Sequence, residues 1–541
     1  MITIFKKEIS SKKNKAIIVT PHHLATKAGS DALKEGANAV EAAIIGATVL
    51  SVVYPHMNSL GGDNFWLIYN AEKNSLKGLN ANGRSGEKAT VEAYKNLGYS
   101  KIPTRGFLAC NTVPGAVSGL TEAYNYSKTE LNGSKDFSYL FKQAILYAKE
   151  GFPVTKSQEF FTKTNLDSLK NFKGFEKVFL KQNKEIYKEN ELFSQPHLAK
   201  TLELIANNSD EFYQGQIANK IVKYIKENDG FLTLNDFKNH SANWVNPIKG
   251  LYRNFPVYNL PPSTQGFASI LILQIIDNFD FTKIKEGSAD YYHLLIEACK
   301  QAFFVRDKYL TDPDFYDIPL DDILSKKYAL ELAKKIQLDK TIDFDYPLEP
   351  KGDTVWLGVS DEKGNAVSLI QSIYHEFGSG IVPENTGITL QNRGCFFSLN
   401  ENHPNKLEPK KRTFHTLNPA MIFKDNKPYL IYGTMGGEGQ PQTQSTIVTR
   451  VIDYNYDIKE AINAPRYLFG RTWGENENDV KFENRISPVI LEELKKRGHK
   501  IKLTEEFSSL MGHAGAILID HDNNTKTGSS DIRSDGSTDG Y

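Results

Sequence analysis

Two apolar runs separated by a tight turn constrain the fold of this chain more than any other feature. Residues 355–359 and 366–370 are apolar and rich in valine, and the intervening Lys-Gly-Asn at 363–365 is typical of a turn. The pattern predicts two adjacent strands, with Thr354 at the start of the first. The simplest interpretation of Thr354 is a β-branched residue that begins an ordinary strand.

Cleavage of the Asp353–Thr354 bond would change the chemistry of Thr354. The hydroxyl of an internal threonine is a poor nucleophile, because no residue nearby in this sequence can take its proton. A free α-amine titrates at roughly 7.7–8.0, so a useful fraction is neutral near physiological pH and can act as the base for the hydroxyl of the same residue. One residue would then supply both nucleophile and base.

The composition argues against several classes of partner. The chain has 541 residues and no linker-like tract of Pro, Gly and Ser, which predicts one intertwined body with a large core. Its 65 basic and 65 acidic side chains give a formal net charge of zero. Nothing therefore indicates nucleic acid or an anionic membrane as a partner, and a small neutral or zwitterionic substrate is easier to accommodate.

The cysteines and the N-terminal residues indicate neither a metal site nor a membrane segment. Cys110, Cys299 and Cys395 are far apart and lack the spacing of metal ligands, which predicts packing roles. The first residues lack an apolar signal segment, and no later apolar run approaches membrane-spanning length. These features predict a cytoplasmic protein, although a signal peptide that had been removed would leave no trace.

Hydrophobic periodicity predicts an α+β fold in which helices cover sheets. Apolar residues at helical spacing between 24 and 47 predict two helices, and the pair Gly61-Gly62 precedes a predicted strand at 65–69. The middle of the chain, from about 134 to 345, predicts helices joined by short loops. Further elements are predicted as a helix at 267–276, strands at 387–390, 429–432 and 514–519, and a helix at 445–454.

Short motifs over nearly the whole chain resemble, in the expected order, those of the γ-glutamyltransferases, also called γ-glutamyltranspeptidases. Each motif is weak alone, and their common order carries the resemblance. The motifs are PHHLAT at 21–26, GANAVEAA at 36–43, PHM at 55–57, GG at 61–62, VPG at 113–115, PPS at 261–263, DPDF at 312–315, DEKGNAV at 361–367, FGSG at 377–380, LNP at 417–419 and GTMGG at 433–437.

The resemblance implies an N-terminal-nucleophile hydrolase with a four-layer αββα sandwich. It matches Thr354 to the nucleophile that self-cleavage exposes, which implies cleavage at Asp353–Thr354 into a large subunit, 1–353, and a small catalytic subunit, 354–541, that pair with each other. The Thr354 hydroxyl would attack the Asp353 carbonyl, and an N-to-O acyl shift and ester hydrolysis would follow. No metal, organic cofactor or separate protease is implied, and a higher homo-oligomer stays open.

The same resemblance assigns groups to the mature reaction. The Thr354 oxygen would attack an amide carbonyl, its α-amine would pass the proton to the leaving amine, and water or a second amine would release the acyl group. Gly436 and Gly437 match a glycine pair whose N–H groups face the oxyanion, and removal of one such donor typically costs about 2.7–4 kcal/mol. Ser372 matches a family threonine that hydrogen-bonds the nucleophile.

The predicted substrate-binding positions depart from the family pattern. Phe396 lies near the place of an acidic residue that binds the substrate α-ammonium, and Tyr374 replaces an asparagine. The serine pair that contacts the α-carboxylate becomes His415-Thr416, and Arg393 adds a positive charge. A buried ammonium without a countercharge is costly, so these changes bear on the acyl group more than on the mechanism.

Two further features concern substrate binding and access. Arg84 lies about two positions from a family arginine that holds the α-carboxylate, and a solvated surface arginine is nearly as good an interpretation. The connection between residues 398 and 415 is short where many family members carry a longer lid over the pocket. An open site admits water easily, which favours hydrolysis over transfer to an acceptor amine.

Three functions remain open from the sequence. The first is a γ-glutamyl amide hydrolase or transferase that acts on glutathione-like substrates. The second is an N-acyl amidase of the cephalosporin (glutaryl) acylase type, because a glutaryl group has a carboxylate for Arg393 and no amine. The third is an uncleaved, inactive relative that binds small acyl compounds, against which the retained Thr354, Ser372 and glycine pair argue.

Overall fold

Two sheets of seven strands each form the centre of this computed structural model, which describes residues 10–342, 353–470 and 479–541. The strands are β1 (Ser10–Asn14), β2 (Ile17–Thr20), β3 (Asp63–Asn70), β4 (Ser75–Ala81), β5 (Phe152–Pro153), β6 (Leu192–Phe193), β7 (Asn243–Val245), β8 (Ile248–Tyr252), β9 (Phe255–Asn259), β10 (Asp353–Ser360), β11 (Ala366–Tyr374), β12 (Ala420–Lys424), β13 (Lys427–Thr434), β14 (Tyr467–Phe469), β15 (Val480–Glu483), β16 (Ile501–Thr504), β17 (Ala514–Asp520), β18 (Thr525–Ser530) and β19 (Ser537–Gly540).

Helices cover the outer faces of both sheets. They are α1 (His23–Lys34), α2 (Ala39–Val53), α3 (Val91–Asn96), α4 (Ala116–Glu130), α5 (Lys142–Glu150), α6 (Lys156–Leu169), α7 (Lys173–Phe179), α8 (Pro196–Asn207), α9 (Gln216–Lys226), α10 (Leu234–Lys238), α11 (Gly266–Ile276), α12 (Ala289–Tyr309), α13 (Leu320–Ile323), α14 (Lys326–Ala333), α15 (Gln440–Ile452), α16 (Ile458–Asn463) and α17 (Pro488–Lys496).

The strand order mixes elements from both sides of residue 354. One sheet has the order β1-β18-β17-β13-β12-β9-β8 and the other β19-β2-β10-β11-β3-β4-β7, and all neighbouring strands in these two sheets are antiparallel. In the second sheet, β10 lies between β2 and β11, and β11 pairs with β3 on its other side. The strand that begins at Asp353 is therefore central, with its backbone paired on both edges.

Three apolar layers hold the four-layer arrangement together. The layer between the sheets contains Trp356, whose indole N–H donates to Ser368 Oγ at 2.9 Å and whose ring packs closely against Gly433 and Gly515 of the opposite sheet. A Cβ at Gly433 would lie 2.1 Å from that ring, so close approach of the sheets requires glycine there. The two outer layers bury α2 against the second sheet and α11, α12 and α15 against the first.

The structure confirms the predicted αββα fold and most of the predicted elements. The two helices between 24 and 47 are α1 and α2, the helix at 267–276 is α11, and the strands at 65–69, 429–432 and 514–519 lie within β3, β13 and β17. The helix predicted at 445–454 begins earlier, at Gln440, and ends at Ile452.

Two predictions about secondary structure were wrong. Residues 387–390 form no strand, since Gly387 adopts a φ of +66° and only Leu390 makes an isolated bridge, to Gly61. The middle of the chain is not purely helical, because β7, β8 and β9 lie there and extend the edges of the two sheets. Their short, lysine- and asparagine-containing sequences resemble loops when read alone.

Other predictions concern the cysteines and the membrane. Cys110, Cys299 and Cys395 are buried free thiols, as packing roles require. Among the described residues, no helix combines the length and the apolar character needed to cross a membrane.

Candidate active site

Thr354 lies at an irregularity in the β10–β11 ladder. Asp353 pairs with Tyr374 and Val355 with Gln371, so the register shifts at Thr354. Such bulges redirect a side chain out of the regular alternation of a strand. Asp353 and Thr354 are consecutive residues of β10, so the structure describes the uncut chain, in which the Thr354 side chain is buried.

The Thr354 hydroxyl lies beside the first residue of α15. Nε2 of Gln440 lies 3.5 Å from Thr354 Oγ1. Because α15 begins at Gln440 and continues for 13 residues, its N-terminal end, with partial positive charge, lies beside the predicted nucleophile. A negative charge that develops at this position would be stabilised by the helix end.

Ser372 lies across the ladder from Thr354, and its hydrogen bond to the nucleophile stays a prediction. It occupies the shifted stretch of β11 between Gln371 and Tyr374, and its buried Oγ accepts a 2.8 Å hydrogen bond from the Tyr374 backbone N–H. On its other side Ser372 is paired with Asp63 of β3. A Cβ at Gly62 would lie 2.1 Å from the Ser372 carbonyl, so the glycine before Asp63 permits this close approach.

Gly436 and Gly437 form the turn between β13 and α15. Both adopt positive φ, at 117° and 52°, and Gly437 begins the short 3₁₀ turn Gly437–Gly439 that leads into Gln440. The Gly436 carbonyl accepts from the Gly439 N–H at 2.8 Å. A carbonyl and the following N–H point in opposite directions in a planar trans peptide, so this bond also fixes the direction of the Gly437 N–H.

The carbonyl groups of the residues before and after Gly436 also accept hydrogen bonds. The Met435 carbonyl accepts from Thr434 Oγ1 at 2.7 Å, which fixes the direction of the Gly436 N–H, and the Gly437 carbonyl accepts from Gln265 Nε2 at 3.0 Å. Preorganised N–H groups beside a nucleophile are what an oxyanion site needs. The directions of both glycine N–H groups in the turn before α15 are thus fixed, and its role as an oxyanion site stays a prediction.

Arg393 is buried beneath two aromatic rings. Its guanidinium carbon lies 4.0 Å from the centroid of the Tyr374 ring and 5.3 Å from that of Phe396. Nη2 donates to Thr416 Oγ1 at 3.2 Å, whereas Nη1 is buried without a hydrogen-bond partner among the residues that the structure describes. Burial lowers the pKa of Arg393 to about 10, so the side chain remains a cation at neutral pH.

Asp63 is a buried carboxylate close enough to Arg393 to interact with it electrostatically. Its Oδ1 accepts from the Gly83 and Gly115 N–H groups at 3.1 and 3.0 Å and from Gln391 Nε2 at 3.1 Å. Burial raises the pKa of Asp63 to about 7, although these bonds and the charge of Arg393 act in the opposite direction. The carboxyl group therefore changes charge near neutral pH.

His415 connects Asp63 to the segment that carries Thr416. Its Nε2 lies 3.3 Å from Asp63 Oδ2, and its Nδ1 accepts from the Leu417 N–H at 3.3 Å. An Nδ1 that accepts places the ring proton on Nε2, which then donates to Asp63. Burial, and secondarily Arg393, holds the pKa of His415 well below its usual range, so the ring is neutral.

Arg84 lies in a different environment from Arg393. Its Nη1 donates to Asp312 Oδ2 at 3.1 Å and to the Lys410 carbonyl at 2.9 Å, and its Nη2 donates to Asp314 Oδ2 at 2.6 Å. About a third of the side chain is exposed, at the edge of a groove of about 420 Å³ that Arg412 also lines. Two carboxylates thus already engage this guanidinium, and its predicted role in substrate binding stays a prediction.

A cluster of possible metal ligands lies beside α12, which carries two of its three members. His293, Glu297 and His499 bring ligand atoms within 4.8 Å of one another. Each of these groups already has a partner within the protein. His293 Nδ1 lies 2.7 Å from His499 Nε2, and the Glu297 carboxylate accepts from Lys300 Nζ and the Ile342 N–H, each at 2.9 Å. The adjacent lysine supplies the countercharge that a metal ion would otherwise provide.

Several residues of the site were not predicted from the sequence. Asp63 follows the predicted glycine pair directly, and Gln440 follows the glycine-rich turn, so both stood next to a recognised signal. Gln265 lies two residues after the PPS motif and Gln391 two residues before Arg393, but their hydrogen-bond partners are far away in the sequence. Sequence spacing alone carries no signal for such contacts.

Comparison with known protein families shows to which family the chain belongs. A family model described as gamma-glutamyltranspeptidase matches residues 25–541. The chain belongs to the γ-glutamyltranspeptidase family. The resemblance predicted from the ordered motifs is thereby confirmed, and the match covers both the Thr354 strand and the glycine turn.

Two curated members of the γ-glutamyltranspeptidase family are similar to almost the whole chain. The "Glutathione hydrolase-like YwrD proenzyme" of Bacillus subtilis (strain 168) is 44% identical over 524 residues, which cover 96% of this chain and 98% of that protein. The "Oxamate amidohydrolase proenzyme" of Klebsiella pneumoniae is 40% identical over 533 residues, which cover 98% of this chain and 99% of that protein. Both relatives are named as proenzymes.

A solved structure with the same overall arrangement carries a third name. The cephalosporin acylase from Bacillus halodurans matches with a TM-score of 0.90 and 33% identity, and the match covers 100% of this chain and 98% of that one. The three names therefore differ in the compound that they give, which is glutathione, oxamate or cephalosporin. Each of them names a hydrolase or an acylase.

Proposed function

We propose that this chain is a proenzyme that cuts itself before Thr354 and then hydrolyses amides whose acyl group carries a carboxylate. Thr354 lies at a bulge, opposite Ser372 and beside Gln440, the first residue of α15, which directly follows the oriented Gly436–Gly437 turn. The observation that carries the choice of acyl group is Arg393, a buried cation whose Nη1 has no hydrogen-bond partner among the described residues.

The reaction needs only groups of the chain and water. The Thr354 oxygen attacks the amide carbonyl, the C–N bond breaks, and the leaving amine takes the proton that the freed α-amine of Thr354 has accepted. The N–H groups of the glycine turn and the N-terminal end of α15 stabilise the oxyanion. Water then attacks the ester, the acid leaves, and Thr354 regains its proton.

The acyl carboxylate binds at Arg393 in this proposal. A buried donor without a partner carries a desolvation cost of about 1–3 kcal/mol, which a bound carboxylate relieves. The rings of Tyr374 and Phe396 lie against the guanidinium, so the surroundings of the proposed carboxylate site are otherwise apolar. A short dicarboxylic acid amide, with a carboxylate and no ammonium group, fits this chemistry.

The names of relatives support both the reaction and the acyl class. Oxamate, the substrate in the name of the Klebsiella relative, is an amide that carries a carboxylate and no ammonium group. The similar structure from Bacillus halodurans is named a cephalosporin acylase, the reaction type of the second function that the sequence left open. We infer from them the class of substrate for this chain, an amide with a carboxylate on its acyl group, and not the length of that acyl group.

A γ-glutamyl amide is the second candidate, because the Bacillus subtilis relative is named glutathione hydrolase-like. Its acyl group carries a carboxylate for Arg393 and also an α-ammonium that needs a countercharge. Asp63 is the carboxylate that interacts with Arg393, and both of its oxygens already accept hydrogen bonds, from Gly83, Gly115 and Gln391 on one side and His415 on the other. An ammonium group at Arg393 would therefore be poorly compensated.

Three chromogenic anilides with acyl chains of the same length test the proposal. The glutaryl anilide carries the carboxylate alone, the γ-glutamyl anilide adds the ammonium, and the pentanoyl anilide has neither. We expect kcat/KM to be highest for the glutaryl compound and about ten- to a hundredfold lower for the pentanoyl compound, as expected for a charged hydrogen bond worth about 1.5–3 kcal/mol. A γ-glutamyl preference would select the second candidate, and a pentanoyl preference would contradict both.

The charge of Asp63 predicts a pH dependence of substrate binding. As the pH rises through about 7, Asp63 loses its proton and adds a negative charge near Arg393. The net positive charge at the acyl site falls, so KM for the glutaryl anilide should rise several-fold between about pH 6 and pH 8.5, which corresponds to about 1 kcal/mol of added repulsion between the Asp63 and substrate carboxylates. Initial rates over this pH range measure the change.

Asp63→Asn is the variant that isolates this effect. Asparagine keeps an oxygen for the Gly83 and Gly115 N–H groups, places an NH₂ group where the other oxygen accepts from His415, and cannot ionise. The KM of the variant can therefore differ from that of wild type at every pH, but it should be flat where the wild-type KM rises. The pentanoyl anilide is the internal control, since its uncharged acyl chain should show no rise in either protein. An equal rise in the variant would assign the titration to another group.

A further inference from the structure

Gln265 joins two parts of the site that lie far apart in the sequence. It follows the Pro-Pro-Ser motif and immediately precedes α11, and its side chain is fully buried. Its Nε2 donates to the Thr416 carbonyl at 2.8 Å and to the Gly437 carbonyl at 3.0 Å. One carboxamide thus holds both the glycine turn and the segment whose Thr416 hydroxyl contacts Arg393.

The orientation of this carboxamide is fixed by a buried ion pair. Arg306 Nη1 donates to Gln265 Oε1 at 2.9 Å, so the oxygen of the amide faces the guanidinium and its NH₂ faces the two carbonyls. Arg306 Nη2 in turn donates to Glu438 Oε2 at 2.6 Å, and both side chains are buried. Since Glu438 directly follows Gly437, the ion pair and the amide hold the same turn from two directions.

The backbone around Gln265 strengthens the link to the acyl-binding segment. The Gln265 N–H donates to the His415 carbonyl at 2.9 Å, and the His415 N–H donates to the Ser263 carbonyl at 2.7 Å. The loop from Ser263 to Gln265 therefore runs beside His415 and Thr416 like a short parallel strand. Any displacement of the Gln265 side chain would be transmitted to both carbonyls.

We propose that Gln265 is a positioning residue that sets the glycine turn against the acyl-binding segment. This inference rests on the proposed function, because the turn matters as an oxyanion site and Thr416 as a neighbour of Arg393. Gln265 acts through Gly437 and Thr416 and touches no substrate. It belongs to the part of the chain before residue 354, so the large piece aligns groups of the small piece after cleavage.

Gln265→Leu removes both donors and keeps nearly the same volume. We expect kcat for the glutaryl anilide to fall about 100-fold with KM within about threefold of wild type, by analogy with the loss of one oxyanion donor. Gln265→Glu is the second variant, in which one oxygen can still face Arg306 while the other faces the Thr416 and Gly437 carbonyls, and it should show a similar loss. Each kcat is expressed per mole of the 354–541 fragment, so that incomplete cleavage does not lower it.

Gln274→Leu is the matched control. Gln274 is a buried residue of α11, the helix that begins directly after Gln265. Its Nε2 donates to the Leu324 carbonyl at 2.9 Å, so the same substitution removes a comparable hydrogen bond outside the site. A kcat loss in Gln265→Leu no larger than in Gln274→Leu, or a loss that appears in KM instead of kcat, would overturn the positioning role. Wild-type protein that neither cuts itself nor hydrolyses the anilide would overturn the proposed function and this inference together.

Discussion

Thr354→Ala should stay in one piece and hydrolyse no amide. The substitution removes the oxygen that attacks the Asp353 carbonyl during self-cleavage and the substrate carbonyl during turnover, so both reactions lose their nucleophile. We expect wild-type protein to give fragments 1–353 and 354–541 on a denaturing gel and the variant to give only the full-length chain. Mass measurement of the smaller fragment identifies its first residue, and anilide hydrolysis measures turnover.

Ser360→Ala is the matched control for Thr354→Ala. Ser360 lies at the other end of β10, and its Oγ is buried without a hydrogen-bond partner among the described residues, so the loss of that hydroxyl should leave cleavage and turnover at wild-type levels. Thr354→Ser keeps a hydroxyl and a free α-amine and should retain part of both reactions. Cleavage at the same bond in Thr354→Ala, or undiminished turnover, would exclude Thr354 as the nucleophile.

The strands around Thr354 could be predicted because their signals are local. The apolar runs at 355–359 and 366–370 and the turn between them predict β10 and β11, and the structure pairs these strands as predicted. The bulge at Thr354 could not be predicted, because it depends on the register between the two strands. A period of two residues specifies the face of each side chain and says nothing about an extra residue in one strand.

Short edge strands are where the sequence was least informative. Residues 243–259 form β7, β8 and β9, yet their pattern contains exposed polar residues and the turn residues Arg253 and Asn254 at positive φ. Strands at a sheet edge bury little and lack a strong alternation, so pairing with β4 and β12 determines their structure. Tertiary contacts of this kind override local propensity.

The site shows the same division between local and long-range signals. Arg393 could be selected from the sequence because it departs from the family pattern, and the glycine turn because it matches that pattern. The environment of Arg393 could not be predicted from the sequence, because Thr416 and Asp63 approach it from other strands and loops. Burial of a guanidinium with an unpartnered Nη1 among the described residues is a property of the fold, and it is the property that favours a substrate carboxylate.

Arg393→Gln should remove the preference for a carboxylate on the acyl group. Glutamine cannot carry the charge or reach a carboxylate with a planar pair of donors, and loss of a buried charged contact costs roughly 2–5 kcal/mol. We expect kcat/KM for the glutaryl anilide to fall on the order of 100-fold, while kcat/KM for the pentanoyl anilide changes by no more than about threefold. The two anilides therefore separate loss of acyl recognition from damage to Thr354.

Two further arginine variants make the result specific. Arg253→Gln is the control for the loss of a partly buried guanidinium, because Arg253 lies in the turn between β8 and β9 and binds Asp277 and Asp453. Arg84→Gln tests the other predicted substrate-binding arginine in the same assay. Since Asp312 and Asp314 already engage Arg84, we expect its ratio of glutaryl to pentanoyl hydrolysis to stay near that of wild type. The opposite result would be a much lower ratio of glutaryl to pentanoyl hydrolysis in Arg84→Gln and an unchanged ratio in Arg393→Gln. That result would assign the acyl carboxylate to Arg84 and exclude Arg393 Nη1 from substrate binding.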